Sequence, residues 1–101
     1  MGPLLAAGEP GKAGEALWGA VASALKALAL ARNGRLLRAA EVDAYGGRVA
    51  RDHRLREEFA AVRSLHANFY DQFLDAGDVR TAAEKGLRFL KVVAAQAQAP
   101  T

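Results

Sequence analysis

The sequence predicts an all-α protein, an antiparallel helical bundle of about four helices. Apolar residues recur every three or four positions over long stretches, and no stretch alternates apolar with polar as a half-buried strand would. Turn signals at Asn33-Gly34, Gly46-Gly47 and Gly77 divide those stretches. At 101 residues, 51% hydrophobic and 25% charged, the chain is long enough for one hydrophobic core. Much of its apolar share is alanine, so that core must come from few large side chains, mainly leucine, valine, Trp18 and a cluster of Phe and Tyr. The expected organisation is a flexible lead over residues 1–9, a single bundle domain over 10–96 and a frayed tail over 97–101.

The first helix is bounded by Pro10-Gly11 and by the stop at Asn33-Gly34. Between them Leu17, Val21, Leu25 and Leu28 share a face flanked by Trp18, Ala22 and Ala29, and residues 12–32 would make a rod of roughly 30 Å. Arg32, Arg35 and Arg38 follow, where cations interact favourably with the helix macrodipole. LLRAAEVDAY predicts a shorter helix that Gly46-Gly47 interrupts, which leaves the number of helices in residues 34–53 open.

A second long helix is expected from near Asp52 to Gly77. Its stripe is Leu55, Phe59, Val62, His66, Phe69 and Phe73, widened by Leu65, Tyr70 and Leu74, so it should have two apolar neighbours. Asp78 is the expected cap of a last helix whose buried face would be Val79, Ala82, Ala83, Leu87, Leu90, Val93 and Ala94. Glu84 and Arg88 form an i,i+4 pair on it.

Composition removes several functions. The chain has no cysteine, which excludes a disulfide framework, a thiolate metal site and a cysteine nucleophile. MGPLLAAGEPGK has no basic stretch before its short apolar segment, unlike a signal peptide. The run Ala16–Leu25 is short of the ~20 apolar residues that span a bilayer. A soluble, cytoplasmic protein with no membrane partner is therefore expected. GEPGKAGE looks like a phosphate loop only superficially, lacking a preceding strand and the Lys-Ser/Thr ending. The arginine-rich, Asn- and Gln-poor composition leans towards a thermophile.

The formal charge of +3 is unevenly placed. Positive and negative residues balance in 1–31 and in 64–101, so the excess lies in 32–63. There Arg32, Arg35, Arg38, Arg48, Arg51, Arg54, Arg56 and Arg63 face Glu41, Asp43, Asp52, Glu57 and Glu58. Such a segment could meet phosphate, or it could be a solvated surface laced with salt bridges.

RSLHANFYDQF holds the residues most open to a functional reading. His66 shares a face with Phe59, Val62, Phe69 and Phe73, so it should be at least half buried and must find hydrogen-bond partners. Another helix or a second subunit could supply them; a catalytic or ligand-binding histidine is the competing reading. Asn68 and Tyr70 point elsewhere on that helix, where they could bond across an interface. Two histidines without HxxxH or HxxE spacing give no dedicated metal site, no cofactor is implied, and Ser23, Ser64 and Thr81 show no visible Ser-His-Asp arrangement.

Two stretches together carry a family resemblance. GEPGKAGEALWGAVASALKALA, residues 8–29, resembles the first-helix signature of the archaeal PaREP family, and LHANFYDQFL, residues 65–74, is similar to its second. Ala16 stands where the family often has lysine, and the connection between the signatures is shorter than in many members. The resemblance implies a fold similar to HEPN domains, helical bundles that often form homodimers. Some HEPN domains bind nucleotides or partner nucleotidyltransferase-type proteins, and others are metal-independent ribonucleases with an Arg followed four to six residues later by a His. Arg48-Val-Ala-Arg-Asp-His53 is the match here. Two functions are thus expected to compete. One is a non-catalytic, self-associating interaction or nucleotide-binding module, with Arg63, His66, Asn68, Tyr70 and Trp18 at the interface or pocket. The other is RNA cleavage drawing on Arg48, His53 or His66.

Overall fold

The computed structural model describes residues 10–71 and 75–99, with side chains from Gly14 to Ala67, at Asp75 and from Gly77 onwards. They form four α-helices: α1 (Pro10–Asn33), α2 (Ala39–Asp52), α3 (Arg56–Asp71) and α4 (Ala76–Gln98). The helix expected after Asp52 begins instead at Arg56, and α4 continues to Gln98, into the expected tail. Residues 1–9, Phe73 and Leu74 lie outside the described residues.

α1, α3 and α4 pack against one another, with α1 against α4 the most extensive contact, and α2 lies against α3 and α1. Phe59, Val62 and Leu65 are buried on it, opposite Leu17, Val21 and Leu25 of α1 and Val79, Phe89 and Val93 of α4. The two apolar neighbours expected for this helix are therefore both in the same chain. α3 runs antiparallel to both: Gly14 meets Leu65 while Leu17 and Val62 meet at Gly86, and along α4 Val62 meets Gly86 while Phe59 meets Phe89. α1 and α4 then run the same way, and Arg32 donates to Gln96 Oε1 at 2.8 Å where both helices end. α1 is long and apolar enough over Gly14–Asn33 to match a membrane span by length and composition, a longer stretch than the uncharged run alone suggests. Here it packs as a core helix, with Leu17, Val21, Leu25, Leu28 and Ala29 buried.

α2 returns alongside α3. Gly34, at φ 61°, ends α1, and an extended link with Leu37 buried leads to Ala39. Glu41 Oε1 accepts from the Arg38 N–H at 2.9 Å and its Oε2 accepts from Arg35 Nη2 at 2.6 Å, so one carboxylate caps α2 and pairs with the link. Those bonds hold the Glu41 carboxyl below the usual glutamate range. The arginines expected to decorate the end of α1 are thus partly taken up in starting α2. Tyr45 donates to Asn33 Oδ1 at 3.1 Å. α2 ends in a Schellman turn, with Arg54 N–H to Arg51 O at 3.3 Å and Leu55 N–H to Ala50 O at 2.7 Å. Arg54 holds the left-handed position, φ 58°, that glycine would occupy without steric cost.

Four expectations are corrected by the structure. Gly46-Gly47 does not interrupt α2, which is continuous through it. Gly46 is instead a contact: a Cβ there would lie 2.6 Å from Phe59 Cζ and 2.9 Å from Leu25 Cδ1. The cap of α4 is Asp75, whose Oδ1 accepts from the Asp78 N–H at 2.8 Å, so Gly77 lies inside the helix rather than before it. The buried face of α4 turns on Phe89, fully buried, while Leu87 is 37% exposed. Gly86 explains that rotation, because the bare backbone lets Leu17 and Val62 approach this face. Arg88 consequently pairs with Glu58 of α3 at 3.1 Å rather than with Glu84. Beside it Lys85 reaches Glu57 at 2.5 Å and holds that carboxyl below its usual range.

Neighbouring glycines should therefore respond with opposite sign. Gly46→Ala gains helix propensity of up to ~1 kcal/mol but loses more by overpacking, typically ~1–3 kcal/mol. Gly47, with nothing within 4 Å of its would-be Cβ, collects only the gain. Thermal unfolding should show Gly46→Ala below and Gly47→Ala above the parent, about 4–8 °C per kcal/mol; two shifts of the same sign would refute the close contact. Arg54→Gly should also stabilise, by up to about 1 kcal/mol, as the relieved left-handed strain exceeds the added freedom of the unfolded chain. A denaturation midpoint at or below the parent's would contradict it.

Candidate functional site

An open groove of about 890 Å³ lies between α2 and α3, with α1 beside it. Ala39 and Ala40 line the α2 side, and Ala60 and Ala67 the α3 side. Ala60, Ser64 and Ala67 fall at i, i+4 and i+7, one face of α3 adjoining its buried stripe. Alanine leaves these walls shallow, since it supplies a methyl where a longer side chain would fill the space. Asp43 and Arg63 face each other across the groove, with Arg63 Nε 2.9 Å from Asp43 Oδ1 and both side chains more than half exposed. An exposed pair of this kind contributes roughly 0–1 kcal/mol.

The inner end is built by His66 and Trp18. The Nδ1–H of His66 donates to Glu15 Oε2 at 2.9 Å, and its ring stacks on the Trp18 indole with centroids 4.7 Å apart and planes 21° apart. Trp18 in turn tilts against Phe59 at 6.4 Å, and Phe59 against Phe89 at 5.1 Å. An aromatic chain thus connects the groove to the core. His66 does not lie at the centre of the buried stripe, as its spacing suggests; Leu65 does, with no exposed surface. The imidazole sits at the margin, 37% exposed, and its acceptor is a carboxylate from another helix that is 31% exposed. That bond selects the tautomer with hydrogen on Nδ1.

The expected site residues divide three ways. Trp18, Arg63 and His66 are brought together at the groove. Arg48 and His53 are exposed and line none of it; His53 is the residue at the end of α2. Asn68 and Tyr70 lie outside the residues whose side chains are described. Sequence reasoning missed Glu15, Asp43 and the alanine walls. Glu15 gave no local signal, because it is 51 positions from His66.

A carboxylate on an imidazole is half of a hydrolytic triad. Ser64, two residues from His66 on one helix, does not face it. Among the described residues, no group of three or more His, Cys, Asp or Glu side chains could hold a metal ion. What the arrangement can do is fix one imidazole and one indole rigidly beside a shallow groove. No family model, curated protein or solved structure matches this chain.

A double-mutant cycle over Glu15→Ala and His66→Ala should return a coupling of about 0.5–1.5 kcal/mol. Trp18 is the single tryptophan, so its emission reports the stacked imidazole directly. His66→Leu should change that emission while the far-ultraviolet circular dichroism stays constant; unchanged emission together with zero coupling would dismiss the arrangement.

Proposed function

We propose that this chain is a non-catalytic interaction module, a cytoplasmic HEPN-like bundle akin to the archaeal PaREP proteins, that associates with a second copy of itself through the α2–α3 groove. The observation that supports this reading is a protruding apolar side chain beside a shallow cleft. Leu36 is 79% exposed in the link leading into α2, three residues before the groove wall begins at Ala39. A knob on each copy that fills a hollow on the other is what a twofold, self-complementary contact requires.

Charge also favours a protein partner in this groove. Arg63 is the one Lys or Arg among the residues lining it, and Asp43 already neutralises it. A phosphate group would have to displace that carboxylate. A nucleotide ligand stays as the second reading of the module, supported by the groove's volume and by the half-buried Trp18 on its wall. RNA cleavage asks more of the chain. Its Arg48–His53 motif has a five-residue separation, roughly 140° on an ideal helix, and its other candidates, Arg63 and His66, line the groove.

Sedimentation at about 50 µM, a concentration that populates a dimer of micromolar affinity, should show a dimer for the parent. Ala60→Glu and Leu36→Ser should each give a monomer of unchanged helicity, since both positions are exposed. A parent that sediments strictly as a monomer would end this proposal. Titration of Trp18 emission with nucleotides examines the second reading. Chelator-resistant RNA cleavage that His53→Ala or His66→Ala abolishes would replace both with the enzyme.

A further inference from the structure

The ion pairs leave one corner of the molecule unbalanced. Glu41 is paired with Arg35, Asp43 with Arg63, Glu57 with Lys85 and Glu58 with Arg88. Every acidic residue from Glu41 to Glu58 is thereby committed except Asp52. Arg48, Arg51, Arg54 and Arg56 are all exposed, and among the described residues none of them takes part in an ion pair. Arg48 and Arg51 sit at i,i+3 on α2, a spacing that brings their Cβ atoms to about 5–6 Å. The Schellman turn then presents Arg54, held left-handed, and Arg56 opens α3. Four exposed arginines, with His53 in the turn, therefore lie within nine residues at the helix–turn–helix junction of α2 and α3.

We propose that this α2–α3 corner binds the phosphate backbone of double-stranded nucleic acid without reading its sequence. Guanidinium groups pair bidentately with phosphate oxygens, and a duplex offers such groups in the density that a cluster of four can exploit. Residues 46–58 contain no Phe, Tyr or Trp, so the corner lacks the large aromatic platforms that favour single strands over a duplex. Leu55 is half-buried and Val49 is buried, so no large apolar side chain projects there to enter a lipid surface. The corner is a different surface from the α2–α3 groove, and the two readings stand or fall separately.

Fluorescence anisotropy with labelled duplexes of about 20 base pairs, DNA and RNA, tests the proposal over about 50–200 mM salt. Four phosphate contacts predict a slope of about −3 to −4 for log K against log salt. Arg48→Gln/Arg51→Gln should reduce that slope by about two and weaken binding at least about tenfold at low salt. Arg54→Gly should weaken binding although the protein is no less stable, which separates contact from folding. Arg80→Gln/Lys91→Gln removes the same charge from exposed positions on α4 and should leave affinity within about twofold. Equal weakening by the two double variants would assign the effect to bulk charge and overturn the corner. So would tighter binding to a single strand of equal length, no duplex binding at about 50 mM salt, or binding only to vesicles with about 30% phosphatidylserine.

Discussion

Val62 can reach the axis of this bundle because Gly86 has no side chain. A Cβ at Gly86 would stand 2.7 Å from Leu17 Cδ2 and 2.9 Å from Val62 Cγ2, so α1, α3 and α4 converge on one bare stretch of backbone. In a chain whose apolar residues are so often alanine, close approach replaces bulk as the way to exclude water. The convergence sets the rotation of α4, puts Phe89 in the core and leaves Leu87 at the surface. It also sets the distance between α1 and α3 at which Glu15 meets His66.

The same economy shapes the surface. α2 contacts α3 less extensively than α1 and α4 do, and its own Gly46 brings it against Phe59. Where it diverges, alanine walls leave a groove, and the groove's charges cancel within it. Around the turn that joins α2 to α3, charges do not cancel. Two surfaces of different chemistry thus lie on one helix pair, one shallow and neutral, the other cationic. Their contrast follows from which carboxylates the bundle has already engaged.

Local patterning was a good guide wherever the chain's nearest neighbours decide the outcome. The stripe Leu17, Val21, Leu25 and Leu28 is the buried face of α1, and Asn33-Gly34 ends it. Half-burial of His66 and a partner on another helix also followed from spacing and from the cost of an unsatisfied imidazole. The failures share a cause. Gly46-Gly47 and Gly77 have a weak local preference against helix, about 1 kcal/mol each relative to alanine, and tertiary contacts or an upstream cap outweigh it. Asp75 and Asp78 are equally good caps by type, and position alone chose between them. Glu15, Asp43 and the groove carried no signal, because each needs two segments far apart in sequence to be adjacent.

Helix content, the approximate register of apolar faces and the segment holding the surplus of arginine are properties of short windows, and a 3.6-residue period with a charge count is enough to read them. Which carboxylate meets which cation, which glycine is a contact, and where a cleft opens depend on the separation and rotation of whole helices. Those are decided only when Leu17, Val62 and Gly86 come together, since side-chain packing at that one point propagates along rigid rods to both ends of the molecule.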